Sequence, residues 1–84
     1  MYYIYILQNT ITSRYYIGST NNLENRLYRH NTKQVKSTKH GSPNWIRVYS
    51  ETFATRGEAV RRENQIKKKK SRKYIDYLVD KVTD

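Results

Sequence analysis

The chain has no cysteine, which excludes a disulfide framework and any thiolate metal site. No apolar run is long enough to cross a bilayer, and the start lacks a basic stretch followed by an apolar one, as a signal peptide would have. These absences leave a soluble, cytoplasmic protein with no membrane partner as the expectation. A Walker-type glycine loop is missing, and no serine stands in a G-x-S-x-G setting. The two histidines, His30 and His40, lack the pairing of a zinc site. There is no internal repeat and no low-complexity linker. With 84 residues the expectation is a single domain, 1–84, with a small core and a thin margin of stability.

Acidic residues are scarce too. Seven Asp and Glu stand against seventeen Lys and Arg, a formal net charge of +10. So basic a chain calls for a polyanionic partner, nucleic acid before an anionic membrane surface. Nine tyrosines, one phenylalanine and one tryptophan accompany the charge, and rings interleaved with cations can stack on bases as well as fill a core. Composition does not separate binding from cleavage.

The rest of the chain is organised around residues 15–31. Tyr15-Tyr16-Ile17 has the aromatic and β-branched content of a strand. Gly18 lets the backbone turn where a side chain would obstruct it. Asn21 reads as an N-cap, with Glu24 three places on to complete a capping-box-like start. In the helix that follows, from about 22 to 31, Leu23, Arg26, Leu27 and His30 share one face. Leucines at that spacing are ordinary core; an arginine and a histidine on the same stripe are not.

Before this stretch, residues 2–7 read as a strand covered on both faces, with Tyr3, Tyr5 and Leu7 on one side and Tyr2, Ile4 and Ile6 on the other. The polar segment 8–14 joins the two strands as a hairpin, so Tyr5 and Tyr16 could present two phenols to one site. After it, residues 32–44 form a polar, basic loop punctuated by Gly41 and Pro43. Lys33, Lys36, Lys39 and His40 there suit either plain solvent exposure or phosphate contact. Trp45–Phe53 reads as a third strand, with Ile46 and Val48 on one face and Trp45, Arg47 and Tyr49 on the other.

Thr55 and Glu58 form a T-x-x-E start for a helix over 56–70, whose apolar face is Ala59, Val60 and Ile66. Glu63 lies within that face. A carboxylate there needs a partner, and a salt bridge and a bound metal are equally open. Lys67, Lys68, Lys69 and Lys70 suit the helix C-terminus and also make a phosphate-binding patch. Ser71 can cap a last helix, in which Tyr74, Ile75, Leu78, Val79 and Val82 face the sheet. The order is β-β-α-β-α-α, an α+β fold with a three-stranded antiparallel sheet flanked by helices.

Tyr5, Tyr16, Arg26, His30 and Glu63 sit oddly for a packing role. Together they resemble the parts of a phosphodiester hydrolase: a carboxylate for one divalent ion, an arginine for negative charge on phosphorus, and a phenol with a histidine for the proton. Tyr3-Ile4-Tyr5 followed by Tyr16-Ile17-Gly18 resembles the paired motif of the GIY-YIG endonucleases. The likeness continues through Arg26, His30 and Glu63 and spans nearly the whole chain. The 18–21 turn and the 62–68 segment are similar to the small single-domain branch, and to the nuclease domain at the start of the excision-repair protein UvrC.

The resemblance implies metal-dependent endonucleolytic cleavage of DNA, with a role in repair or recombination. It implies that Glu63 binds one Mg²⁺ or Mn²⁺, which stabilises the leaving 3′ oxygen. Arg26 would bind the scissile phosphate, and Tyr16 or Tyr5, with Tyr16 preferred, would be the general base. His30 would hydrogen-bond a tyrosine or assist the proton transfer, and Gly18 would give the backbone its close approach. Two positions depart from the family pattern. Tyr3 replaces the first glycine, and no residue matches a late asparagine that some relatives use near the metal. A free phenol, with a pKa near 10, is about one part in a thousand ionised at neutral pH, so nearby positive charge must favour the phenolate.

A small domain has little room for sequence readout, so weak sequence specificity or a targeting protein partner is expected. The competing reading is a non-catalytic nucleic-acid-binding module of a repair or ribonucleoprotein complex. It accounts for the charge and the rings but not for the five residues together.

Overall fold

The apolar run at the start of the chain becomes the middle of a sheet. The computed structural model describes residues 1–82. Strand β1 (Tyr2–Asn9) is flanked by β2 (Tyr15–Thr20) and β3 (Trp45–Phe53), giving an antiparallel sheet in the order β2-β1-β3. Helix α1 (Leu23–Asn31) follows β2, and α2 (Arg56–Lys69) and α3 (Arg72–Val82) follow β3. A short 3-10 turn, Lys39–Gly41, interrupts the loop before β3. This is the α+β fold and element order that the sequence predicts. No helix among the described residues is long and apolar enough to cross a membrane.

A central strand is covered on both faces, which is why β1 is apolar at successive positions rather than alternate ones. Ile4 and Ile6 point into one cluster with Ile17, Ala59, Ile66 and Leu78. Tyr5 and Leu7 point to the other, with Trp45 and the flanking Tyr16, Leu23 and Leu27. The first cluster holds α2 and α3 on the sheet; the second holds α1. Tyr74 and Ile75 pack against the first cluster as expected, whereas the side chain of Val82 lies outside the described residues.

Two local readings need correction. The N-cap of α1 is Asn22, not Asn21: its side chain accepts from the Asn25 amide at 3.0 Å, so Glu24 falls one position short of the capping-box place. In β3 the strict alternation fails. A bulge opposite Ile6 and Leu7 leaves Val48 as the extra residue, between Tyr49 paired with Ile6 and Arg47 paired with Leu7. Tyr49 therefore joins Val48 against the first cluster, while Trp45 stays with the second.

The start signals of the last two helices act where the sequence puts them, while α2 ends at Lys69, one residue earlier than expected. Thr55 accepts from the Glu58 amide at 3.3 Å and starts α2. Lys70 takes a left-handed conformation, φ 48°, and ends it. Ser71 Oγ accepts from the Tyr74 amide at 3.2 Å at the start of α3. The two helices and β3 are joined by Arg62, whose Nε and Nη2 donate to Glu51 at 2.9 and 3.0 Å and whose Nη1 donates to the Tyr74 hydroxyl at 3.2 Å. Burial pushes the Glu51 carboxyl up, but the hydrogen bonds from Arg62 and Tyr49 outweigh it and hold the group below its ordinary value.

Ile66 is 1 % exposed and joins α2 to β1 and β2. Shortening it should cost about 0.5–1.5 kcal/mol as Ile66→Val and about 2–5 kcal/mol as Ile66→Ala, read from the urea midpoints of the two variants against wild type.

Candidate active site

Tyr5 is a phenol set in the interior of the sheet, 2 % exposed. Its hydroxyl must find partners there, and it finds them on α1. His30 Nε2 lies 2.9 Å away, and Arg26 Nε donates to the same oxygen at 3.4 Å. The four-residue spacing of Arg26 and His30 puts both above one ring. Gly18 stands directly opposite Tyr5 across the sheet. A Cβ on Gly18 would come within 2.5 Å of the Tyr5 oxygen, so glycine is required there for lack of a side chain, not for an unusual turn.

The other nitrogen of His30 is also committed. Nδ1 lies 2.6 Å from Thr38 Oγ1, and Thr38 Oγ1 donates to the Val35 carbonyl at 3.4 Å. The network lets a tautomer be assigned, taking the Thr38–Val35 contact as the direction of the Thr38 proton. Thr38 spends its proton on Val35 and accepts from His30 Nδ1–H, so Nε2 is bare and accepts from the Tyr5 hydroxyl. A directed chain runs from Arg26 through Tyr5 and His30 to Thr38. Burial, helped by the nearby charges of Arg26 and Arg29, pulls the His30 pKa down to about 4. The imidazole is neutral at neutral pH, as an acceptor must be.

Tyr16 completes the aromatic side of the site. Its ring meets His30 edge-on at a centroid distance of 4.8 Å and lies 6.4 Å from the Tyr5 ring. The hairpin therefore does bring the two phenols together, but they are not equivalent. Tyr16 is half-buried. Tyr5 is enclosed, and burial pushes its pKa up to about 12 against the opposing influence of Arg26.

Glu63 stands on α2. Its charge bears on the Tyr5 phenol, and its carboxylate pairs with Lys67 Nζ at 2.6 Å. The salt-bridge reading of Glu63 thus holds in this state. Its side chain is 15 % exposed, that of Lys67 49 %. Among the described residues no three His, Cys, Asp or Glu gather as a metal cage, and both nitrogens of His30 are spoken for. One carboxylate, with water and substrate phosphate making up the rest, suits a hard ion such as Mg²⁺. It does not suit zinc, which wants three or four nitrogen or sulfur ligands.

Of the basic side chains singled out in the sequence, Lys67 touches a candidate site residue, Glu63, and among the described residues the others make no hydrogen bond or ion pair with the cluster. Lys33, Lys36, Lys39 and His40 are exposed on the loop beyond α1, and Lys67, Lys68, Lys69 and Lys70 on the end of α2. Lys69 lies over the Tyr74 ring at 5.2 Å. Thr38 escaped the sequence reading, since one threonine in a polar loop carries no periodic signal. The signal that could have found it is His30 itself: a buried imidazole needs a partner on each nitrogen.

Protonating His30 means charging a buried group. Its folded pKa, about 4, lies below the ordinary 6.5, so between these values the unfolded chain binds the extra proton. Stability from this group is complete above pH 6.5 and is lost as pH falls toward 4. The loss should approach about 3 kcal/mol, and urea denaturation at pH 7 and pH 4.5 should show a steeper loss for wild type than for His30→Gln.

Comparison with known proteins meets this geometry. The GIY-YIG catalytic domain model matches residues 1–75. A UPF0213 protein of Staphylococcus haemolyticus is 42 % identical over 67 residues, covering 79 % of each chain. A UPF0213 protein of Limosilactobacillus reuteri is 33 % identical over 85 aligned positions, covering 99 % of this chain and 88 % of its own. No solved structure matches. The paired strands, the arginine and histidine on α1 and the carboxylate on α2 thus stand within a recognised catalytic domain, and the chain belongs to the GIY-YIG family of nuclease domains.

Proposed function

We propose that this protein is a DNA endonuclease that hydrolyses phosphodiester bonds with one divalent ion, Mg²⁺ or Mn²⁺, held by Glu63. The observation that carries the reading is the gathering of Arg26, Tyr5, His30 and Tyr16 on one face, with the Glu63 charge felt at the same phenol. A pure binding module accounts for the charge and the rings but not for these five residues together.

The division of labour follows from burial. A general base must touch the attacking water. Tyr5 is sealed in and its proton is held by His30, so it acts as a positioning residue. It holds the Arg26 guanidinium through Nε and leaves the two terminal nitrogens to meet a phosphate. Tyr16, half-buried at the edge of the cluster, is the base that takes the proton from water. Arg26 compensates the negative charge that develops on phosphorus and on the phenol. His30 keeps Tyr5 oriented and stays neutral throughout. The ion, when bound, supplies Lewis-acid stabilisation of the leaving 3′ oxygen.

DNA backbone is the substrate, read with weak sequence specificity. The exposed lysines of the loop and of the α2 terminus supply non-specific attraction. A partner protein would add targeting, and a place in repair or recombination suits an enzyme that relies on DNA shape.

The decisive experiment is cleavage of supercoiled plasmid and of a labelled branched duplex, with Mg²⁺, Mn²⁺ or EDTA. Wild type should cut only with metal. Glu63→Ala and Arg26→Ala should abolish cutting with the fold intact by circular dichroism, and Tyr16→Phe should lower kcat by about 10²–10⁴. Glu63→Ala cutting at the wild-type rate would sink the reading. Salt-sensitive binding with no cutting under any condition would favour the non-catalytic nucleic-acid module instead.

Lys67 adds a second test. It pairs with the Glu63 carboxylate that would hold the ion. Lys67→Met should lower the Mg²⁺ concentration needed for half-maximal cleavage, whereas an equal or higher requirement would show that the ion pair does not oppose metal binding.

A further inference from the structure

Beside the catalytic cluster lies an open cleft of about 330 Å³, lined by Tyr2, Ser19, Thr20, Asn21, Arg26, Arg56 and Ala59. It contains two arginines and no acid. Arg26 enters from α1, and Arg56, the first residue of α2, enters from the other helix. Tyr2 and Ala59 belong to the packed face of the sheet and give the cleft an apolar side. The end of β2 brings Ser19 to it and the turn before α1 brings Asn21, while the Thr20 hydroxyl is taken up by Asn22. The chemistry is that of a site for an anion presented on a chain: planar cationic donors, short neutral donors and nothing to repel negative charge.

Position ties this cleft to the reaction. Arg26 belongs to both, with Nε on Tyr5 and its side chain on the cleft wall. Arg56, Ala59 and Glu63 follow one another at helical spacing along one side of α2. At 1.5 Å per residue, Arg56 lies about 10 Å along the helix from Glu63, which sets its side chain apart from the oxygens an ion on Glu63 would face.

We propose that this cleft binds the backbone phosphate next to the one cleaved, with Arg56 as its principal ligand, and so sets the register of the strand over Tyr16 and Glu63. The proposal rests on the nuclease reading for the word "next", but the phosphate site itself does not. Phosphate contacts of this kind fix position without reading sequence, and a bidentate guanidinium does so more sharply than a flexible lysine.

The test measures binding and cleavage separately. Binding of a labelled branched duplex is followed by fluorescence anisotropy across a salt series, in a Glu63→Ala background to prevent cutting. Arg56→Ala should weaken binding about 3- to 10-fold and make the slope of log K against log salt shallower by about one. Arg61→Ala is the control, since Arg61 is an exposed arginine on the same helix outside the cleft. In the cleaving protein Arg56→Ala should lower kcat/KM mainly through KM, and Arg56→Lys should recover the salt slope but only part of kcat/KM. If Arg56→Ala matches Arg61→Ala in slope and in KM, the cleft is not a phosphate site and the proposal falls, whatever the nuclease does. If wild type fails to cut while the Arg56-specific slope change persists, the phosphate site stands and the nuclease reading fails.

Discussion

A hydroxyl in a dry interior must be satisfied, and here that demand shapes the site. Tyr5 occupies the middle of the central strand, where both sheet faces are covered and no water reaches. Its oxygen is answered by two side chains of one helix, Arg26 and His30. Once His30 is buried to serve it, His30 needs its own partner, and Thr38 comes in from the loop. Trp45 then donates to the Thr38 carbonyl at 3.0 Å and so closes the loop back onto β3. Asn31 repeats the pattern, accepting from the Trp45 amide and donating to the Trp45 carbonyl. The segment over 32–44 is therefore ordered by a series of buried polar needs that begins at one phenol.

The same logic separates structural from chemical work at the two tyrosines. An enclosed group with its proton held by a neighbour is a poor base but a good scaffold. A half-buried one beside it can meet water. The arrangement keeps one guanidinium in place without consuming its terminal donors. In the proposed mechanism, the positive charge that a developing anion needs would be in place before substrate arrives, at no further cost in reorganisation.

Much of this was legible in the residues. The apolar run at 2–7, the T-x-x-E start and the serine before the last helix act locally, so their physics is contained in a few neighbouring letters. The stripe of Leu23, Arg26, Leu27 and His30 was readable because helical spacing is fixed by geometry. What escaped depends on contacts between distant parts of the chain. Two adjacent asparagines compete for one cap, and only the path of the β2–α1 turn chooses Asn22. The bulge in β3 answers the register against β1, which no composition of β3 alone encodes. Thr38 matters only because of what lies across from it. Arg62 and Glu51 read as two more charges until α2 is laid against β3.

The relation between Tyr5 and Gly18 has a consequence for reading relatives of this chain. The phenol of the first motif fills the volume that a side chain at the second would occupy. The two tripeptides are therefore one object written in two places, and the identities at 5 and 18 are not independent pieces of information. A related sequence with the glycine replaced but the tyrosine kept is sterically inconsistent with this site, whereas one that has lost the tyrosine no longer needs the glycine. Covariation at this pair separates chains that keep the machinery from chains that keep only the fold.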